Sequence, residues 1–234
     1  MNQNSTRTAR PIPLALTALV ALFSALAALA FSGGMDMAQA HGNAPHHAAH
    51  HSKLTPEAVA FRMDMRKLWE DHITWTRLAI ISLEGGTPDT DATVARLLQN
   101  QVDIGNAVKP FYGEAAGNAL TGLLRDHILI AADLIAAAKA GDQTQLANAQ
   151  ARWVANADQI AAALHGLNPR FWKLPVLKAE MHMHLDLTTQ EAVARLQQDW
   201  AGDVAAYDRV HLHILHMADL LSAGIIALFP QRFR

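Results

Sequence analysis

The chain has 234 residues, with 19 basic and 21 acidic side chains, 13 histidines and no cysteine. A formal charge of −2 is too mild for docking on nucleic acid or on anionic lipid. The lack of cysteine excludes disulfides, zinc–thiolate sites, cysteine nucleophiles and thioether-linked haem, so packing alone must hold the fold.

Arg7 and Arg10 precede an apolar run from Leu14 to Phe31 that only Thr17 and Ser24 interrupt. Ala38-Gln39-Ala40 then supplies the small-x-small pattern read by signal peptidase, so residues 1–40 read as a secretory signal and the mature protein as periplasmic or secreted. The competing reading is an uncleaved anchor, because the run of 18 residues lies at the short end of the spanning range; only that reading would put the chain on a membrane. Cleavage would leave 194 residues with 17 basic and 20 acidic side chains, enough for one domain with a substantial core. Residues 41–54, opening HGNAPHHAAHHSK, have no apolar periodicity and read as a disordered histidine-rich tail able to chelate metal.

The folded domain is expected over 55–234. Thr55-Pro56-Glu57 is a helix start, with a capping hydroxyl, a proline at the first turn and an early acid. Phe61, Met65, Leu68, Trp75 and Ala79 follow at helical spacing with His72 on the same stripe, and Gly85-Gly86 ends the helix. A second helix is expected from Asp89–Asp91 to Pro110, a third from Glu114 to Ala140 closed by Gly141, and a fourth from Gln143 to Leu164 before Asn168-Pro169. Val176–His184 reads as a shorter helix. Thr188-Thr189-Gln190-Glu191 reads as a capping box for a long last helix to Phe229, with a stripe through Val193, Leu196, Trp200, Val204, Tyr207, His211 and Leu215. Asp199 and Asp203 read as its solvated face, and Trp172 as a half-exposed loop residue. No window alternates with period two, so no sheet is expected.

An offset of 55 residues places Leu68, Asp71, His72, Gly86 and Asp103 on Leu123, Asp126, His127, Gly141 and Asp158. The expected fold is therefore all-α: an up-down bundle of two similar αα-hairpins plus a long C-terminal helix. In an antiparallel hairpin with a rise of about 1.5 Å per residue, His72 falls level with Asp103, and His127 with Asp158. Inward imidazoles and carboxylates from facing helices are how bundles hold metals. The expected ligands are His72, His127 and His211, with Asp103 and Asp158 as further ligands or orienting partners and His184 near a loop end. The metal would be a divalent transition ion such as Zn, Cu, Ni or Fe. The same couples would also serve as buried hydrogen bonds in a purely structural or interaction bundle of the cell envelope, and a metal- or haem-dependent redox protein is a third reading. His213 and His216 read as solvated. No Gly-x-Ser-x-Gly elbow, phosphate loop or paired Glu-x-x-His motif is present, so the chain reads as non-catalytic.

The strings DHITWTRLAIIS, LLQNQVDIGNAVKPFYGEAAGNALTGLL, DHILIAADLIAAAKAGD, HLDLTTQEAVARL and AYDRVH resemble an exported helical-bundle family of bacteria with no established activity. The resemblance spans most of residues 65–229. It implies the bundle fold and places His72, Asp103, His127, Asp158, His184 and His211 within shared motifs. A nucleotide-sugar transferase, an activity sometimes ascribed to such chains, would need an α/β sheet framework, and no strand pattern is present.

Overall fold

The computed structural model describes residues 54–234; the signal-like segment and the histidine-rich tail lie outside the described residues. Six helices account for nearly all of them: α1 (Pro56–Gly85), α2 (Thr90–Tyr112), α3 (Glu114–Ala140), α4 (Gln143–Leu167), α5 (Leu174–Leu196) and α6 (Trp200–Leu228), with a short 3₁₀ turn, Pro230–Arg232. Among the described residues there is no strand. The fold is an all-α helical bundle, as the periodicity predicts.

Local chemistry sets most helix ends. Thr55 caps α1, its hydroxyl accepting from the Ala58 amide at 3.2 Å. The same hydroxyl donates to the Phe233 carbonyl at 2.8 Å, which ties the start of the domain to its end. Gly86 and Gly141 close α1 and α3 in the left-handed region, at φ 61° and 69°, where a missing Cβ removes the steric penalty.

Each helix packs on the next, and α6 returns to α1, so the six form a closed ring of antiparallel neighbours. α1 also reaches α3 and α5 across the interior. The chain is thus three consecutive αα-hairpins, α1–α2, α3–α4 and α5–α6, where the sequence predicts two and a single added helix. Ile73, Ala157, Val210, Ile214 and Ile225 are completely buried along the interior, and each large aliphatic side chain so buried contributes about 1.5–3 kcal/mol. α2 and α3 come especially close: a Cβ on Gly105 would lie 1.9 Å from the Thr121 hydroxyl and 2.7 Å from the Gly117 carbonyl.

The third hairpin departs from expectation at its turn. Thr188–Glu191 does not cap a helix but lies inside α5, where the Thr188 hydroxyl donates back to the His184 carbonyl at 2.8 Å. The break comes later, at Gln197-Gln198-Asp199, and Asp199 caps α6 through the Gly202 amide. The later start rotates the buried stripe of α6 onto Asp203, Ala206, Val210, Ile214, Met217, Leu221 and Ile225, and leaves Trp200 and Val204 exposed. Trp172 is not half-exposed but 1% exposed, seated against Gly224, where a Cβ would come within 2.0 Å of its indole nitrogen.

Candidate functional site

One histidine from the first helix of each hairpin lies in the middle of the ring. His72 of α1, His127 of α3 and His184 of α5 are 2%, 3% and 4% exposed. The His184 ring is the hub: its centroid stands 5.8 Å from His72, 6.0 Å from His127 and 6.2 Å from His213 of α6.

The second helix of each hairpin supplies a partner 29 residues after its histidine. Gln101 sits 3.2 Å from His72 through its amide nitrogen, and Asn156 sits 2.9 Å from His127 through its amide oxygen. His213 occupies the corresponding place opposite His184. Burial does not distinguish these positions from core, so the polar residue at this spacing is the signal that would have found them.

The amides also set the tautomers. Asn156 donates its NH₂ to the Leu123 carbonyl at 3.0 Å, so its oxygen accepts from His127 Nδ1–H and the Nε2 lone pair stays free. Gln101 donates to the Leu97 carbonyl at 2.8 Å, so the same nitrogen donates to His72 Nδ1, while its own Oε1 is buried without a partner. Half a turn of that amide would present the oxygen to Nδ1 and free His72 Nε2. His184 Nδ1 is buried with no partner at all. His213 Nε2–H donates to the Glu180 carbonyl at 3.0 Å.

Burial disfavours the charged form of each of these rings, His213 included. Burial pushes His72 down to about 3, with the neighbouring His127 adding to the effect. Burial likewise takes His127 down to about 4. His184 falls well below the ordinary range, through burial first and then its proximity to His72, His127 and His213.

The other expected ligands lie elsewhere. His211 is on the outer side of α6, its Nε2 3.1 Å from Glu70 and its ring stacked on Tyr207. Asp103 faces outward to Gln99, 3.1 Å away. Asp158 holds Lys178 and His182 at 2.8 Å and 3.0 Å, and the Lys178 hydrogen bond keeps its carboxyl below the usual range. Neither His–Asp couple forms. His213 is not solvated but joins the interior row, whereas His216 is exposed. Asp203, expected on a solvated face, is 1% exposed and bound by Arg77.

Two small apolar cavities flank the histidine layer. One, of about 50 Å³, includes Ala79, Ile80, Leu97, Ile128, Ile135 and Trp153 in its wall. The other, of about 20 Å³, is bounded by Trp69, Met65, Met181, Met217 and Leu221 among others. Among the described residues, no group of three or more His, Asp or Glu side chains is already arranged to hold a metal ion. No known family model, curated protein or solved structure matches this chain.

Proposed function

We propose that the chain is an exported bundle that binds a transition-metal ion through His72, His127 and His184, acting as a sensor, carrier or store without catalysis. The observation that carries this reading is the buried, unpartnered Nδ1 of His184, with neutral imidazoles from the other two hairpins within 6.0 Å. A buried polar atom without a partner costs stability. A bound ion would give that nitrogen a partner and would use the free Nε2 of His127. Asn156 already orients His127 as outer partners orient metal-bound imidazoles.

Closure of the site requires the rings to draw together around the ion. Three imidazoles on one tetrahedral ion place their ring centroids about 5 Å apart, given nitrogen–metal distances of about 2.0–2.1 Å. His72 and His127 must therefore each move towards the His184 ring by about 1 Å or less from 5.8 Å and 6.0 Å. The adjoining cavities are too small and too apolar to seat a polar substrate, which supports a binding role over a reaction. Imidazole donors suit Zn, Cu, Ni and Fe.

A second reading has its own support. Gln101 and Asn156 each satisfy one nitrogen of a histidine, as a hydrogen-bonded core that merely fixes helix register would require. Elemental analysis separates the two, using protein in which His41, His46, His47, His50 and His51 are changed to Ala so that tail chelation is excluded. About one metal per chain is expected, and it should vanish in His127→Asn/His184→Asn with the helical circular dichroism retained. No metal after supplementation would leave the structural reading standing alone.

A further inference from the structure

Resting on the metal-binding reading, we propose that the ion is monovalent copper, drawn from the imidazole layer by buried thioethers of Met65, Met181 and Met217.

Charge favours a monocation. His72, His127 and His184 are neutral donors, and no carboxylate stands within ion-pair distance of any of them among the described residues. Glu180 reaches only His213, at 3.6 Å, and the exposed His216, at 3.4 Å. An ion entering this site keeps its full charge in apolar surroundings. The desolvation cost rises with the square of the charge, so a dication would cost about four times what a monocation does. Zinc and nickel sites commonly offset that cost with carboxylate or thiolate ligands. This site offers neither.

The neighbouring side chains are soft donors. Met181 lies three residues before His184 on α5, and Met217 four residues after His213 on α6. At these spacings each methionine shares a helix face with its histidine. Because α5 and α6 run antiparallel, both thioethers fall on the same side of the imidazole layer. Met65 of α1 joins them in the wall of one cavity of about 20 Å³, and all three are nearly fully buried.

That cavity has room for one water-sized occupant, since a single such object needs about 10–15 Å³. Water would be a poor tenant, because it requires two to four polar partners and the wall is apolar. Thioether sulfur instead provides lone pairs that monovalent copper prefers and that zinc does not. Methionines also fill cores for their flexibility alone, so the experiment must separate packing from ligation.

The full chain carrying the five tail His→Ala changes is titrated anaerobically with Cu(I) against bicinchoninate, and separately with Zn(II) against a chromophoric zinc chelator. Cu(I) is expected to bind at least roughly 100-fold more tightly than Zn(II). Met181→Leu/Met217→Leu, a nearly volume-conserving change, should weaken Cu(I) by roughly tenfold or more while moving Zn(II) by less than about twofold. Should that variant fail to fold, X-ray absorption of the unaltered copper-loaded protein gives the answer instead. Copper–sulfur scattering is the expected result, and an all-nitrogen shell overturns the proposal. Zn(II) binding as tightly as Cu(I), or full Cu(I) affinity in the leucine variant, also overturns it while leaving the metal-binding reading intact. If neither ion binds, both fall.

Discussion

Arg77 reaches from α1 into the joint between α5 and α6, with one guanidinium nitrogen 2.8 Å from both Glu191 and Asp203 and the other 3.1 Å from Asp203. Arg195 adds a contact to Asp203 at 3.2 Å, and Tyr207 lies beneath the Arg77 guanidinium. Both carboxylates are buried, so removing Arg77 would leave Glu191 without an ion-pair partner and Asp203 with Arg195 alone. Arg77→Ala is expected to destabilise the protein by about 3–5 kcal/mol, visible as a lowered urea midpoint, and Arg77→Lys should recover only part because a point charge cannot reproduce the fork. The same scale explains why the candidate site was only half legible. Height along the bundle fixes a residue to within a turn, but not the direction it faces. Asp103 and Asp158 follow their histidines by 31 residues and Gln101 and Asn156 by 29; those two positions amount to about 200° around a helix. The carboxylates therefore point to solvent, and the amides point to the imidazoles.

At the scale of elements, the three hairpins share one turn position. Gly86, Gly141 and Gln198 each follow their hairpin's histidine by 14 residues, and all three adopt the left-handed region, Gln198 at φ 61°. Gly is at ease there, whereas Gln bears a penalty of about 1–2 kcal/mol. Gln198→Gly should stabilise the protein by about 0.5–1 kcal/mol after the added freedom of the unfolded chain is deducted. A thermal melt would show it as a rise of a few degrees; an unchanged or lower midpoint would mean that the Gln198 side chain contributes more than its backbone costs. This turn is also where reading from sequence failed. A glycine marks the ends of α1 and α3, but nothing in Gln197-Gln198 announces an end to α5, while Thr188–Glu191 imitates a cap. Glu191 lies inside α5 because its carboxyl accepts from Arg77, a partner 114 residues away that no local pattern reveals.

For the whole molecule, two sets of buried groups pull stability in opposite directions with pH. The histidines are neutral in the fold at pH values where the unfolded chain, with an ordinary histidine value near 6.5, binds protons. Each therefore weakens the fold as pH falls from about 6.5 towards 4 or 3. Glu84 and Glu191 behave oppositely. Burial raises them to about 8 and about 7, so the fold retains protons that the unfolded chain releases above about 4.5, and stability declines as pH climbs to 8. Each group has a limiting slope of about 1.4 kcal/mol per pH unit. His72, His127 and His184 outweigh two glutamates below 6.5, and only the glutamates act above it. Maximum stability is expected near pH 6.5, with the steeper limb on the acid side, and urea titrations from pH 4.5 to 8.5 would trace it; a flat profile would show that water reaches these groups. The bundle class was legible because Ala- and Leu-rich periodicity survives any arrangement of helices. The third hairpin was not, since Leu-x-x-Asp-His in the first two becomes Glu180-Met-His-Met-His184, keeping only the inward imidazole. A homotrimer of one short hairpin would place its histidine on a three-fold axis without further invention. In one chain, by contrast, the residue 29 positions after each inward imidazole is free to differ from hairpin to hairpin, and here it is glutamine, asparagine and a fourth histidine.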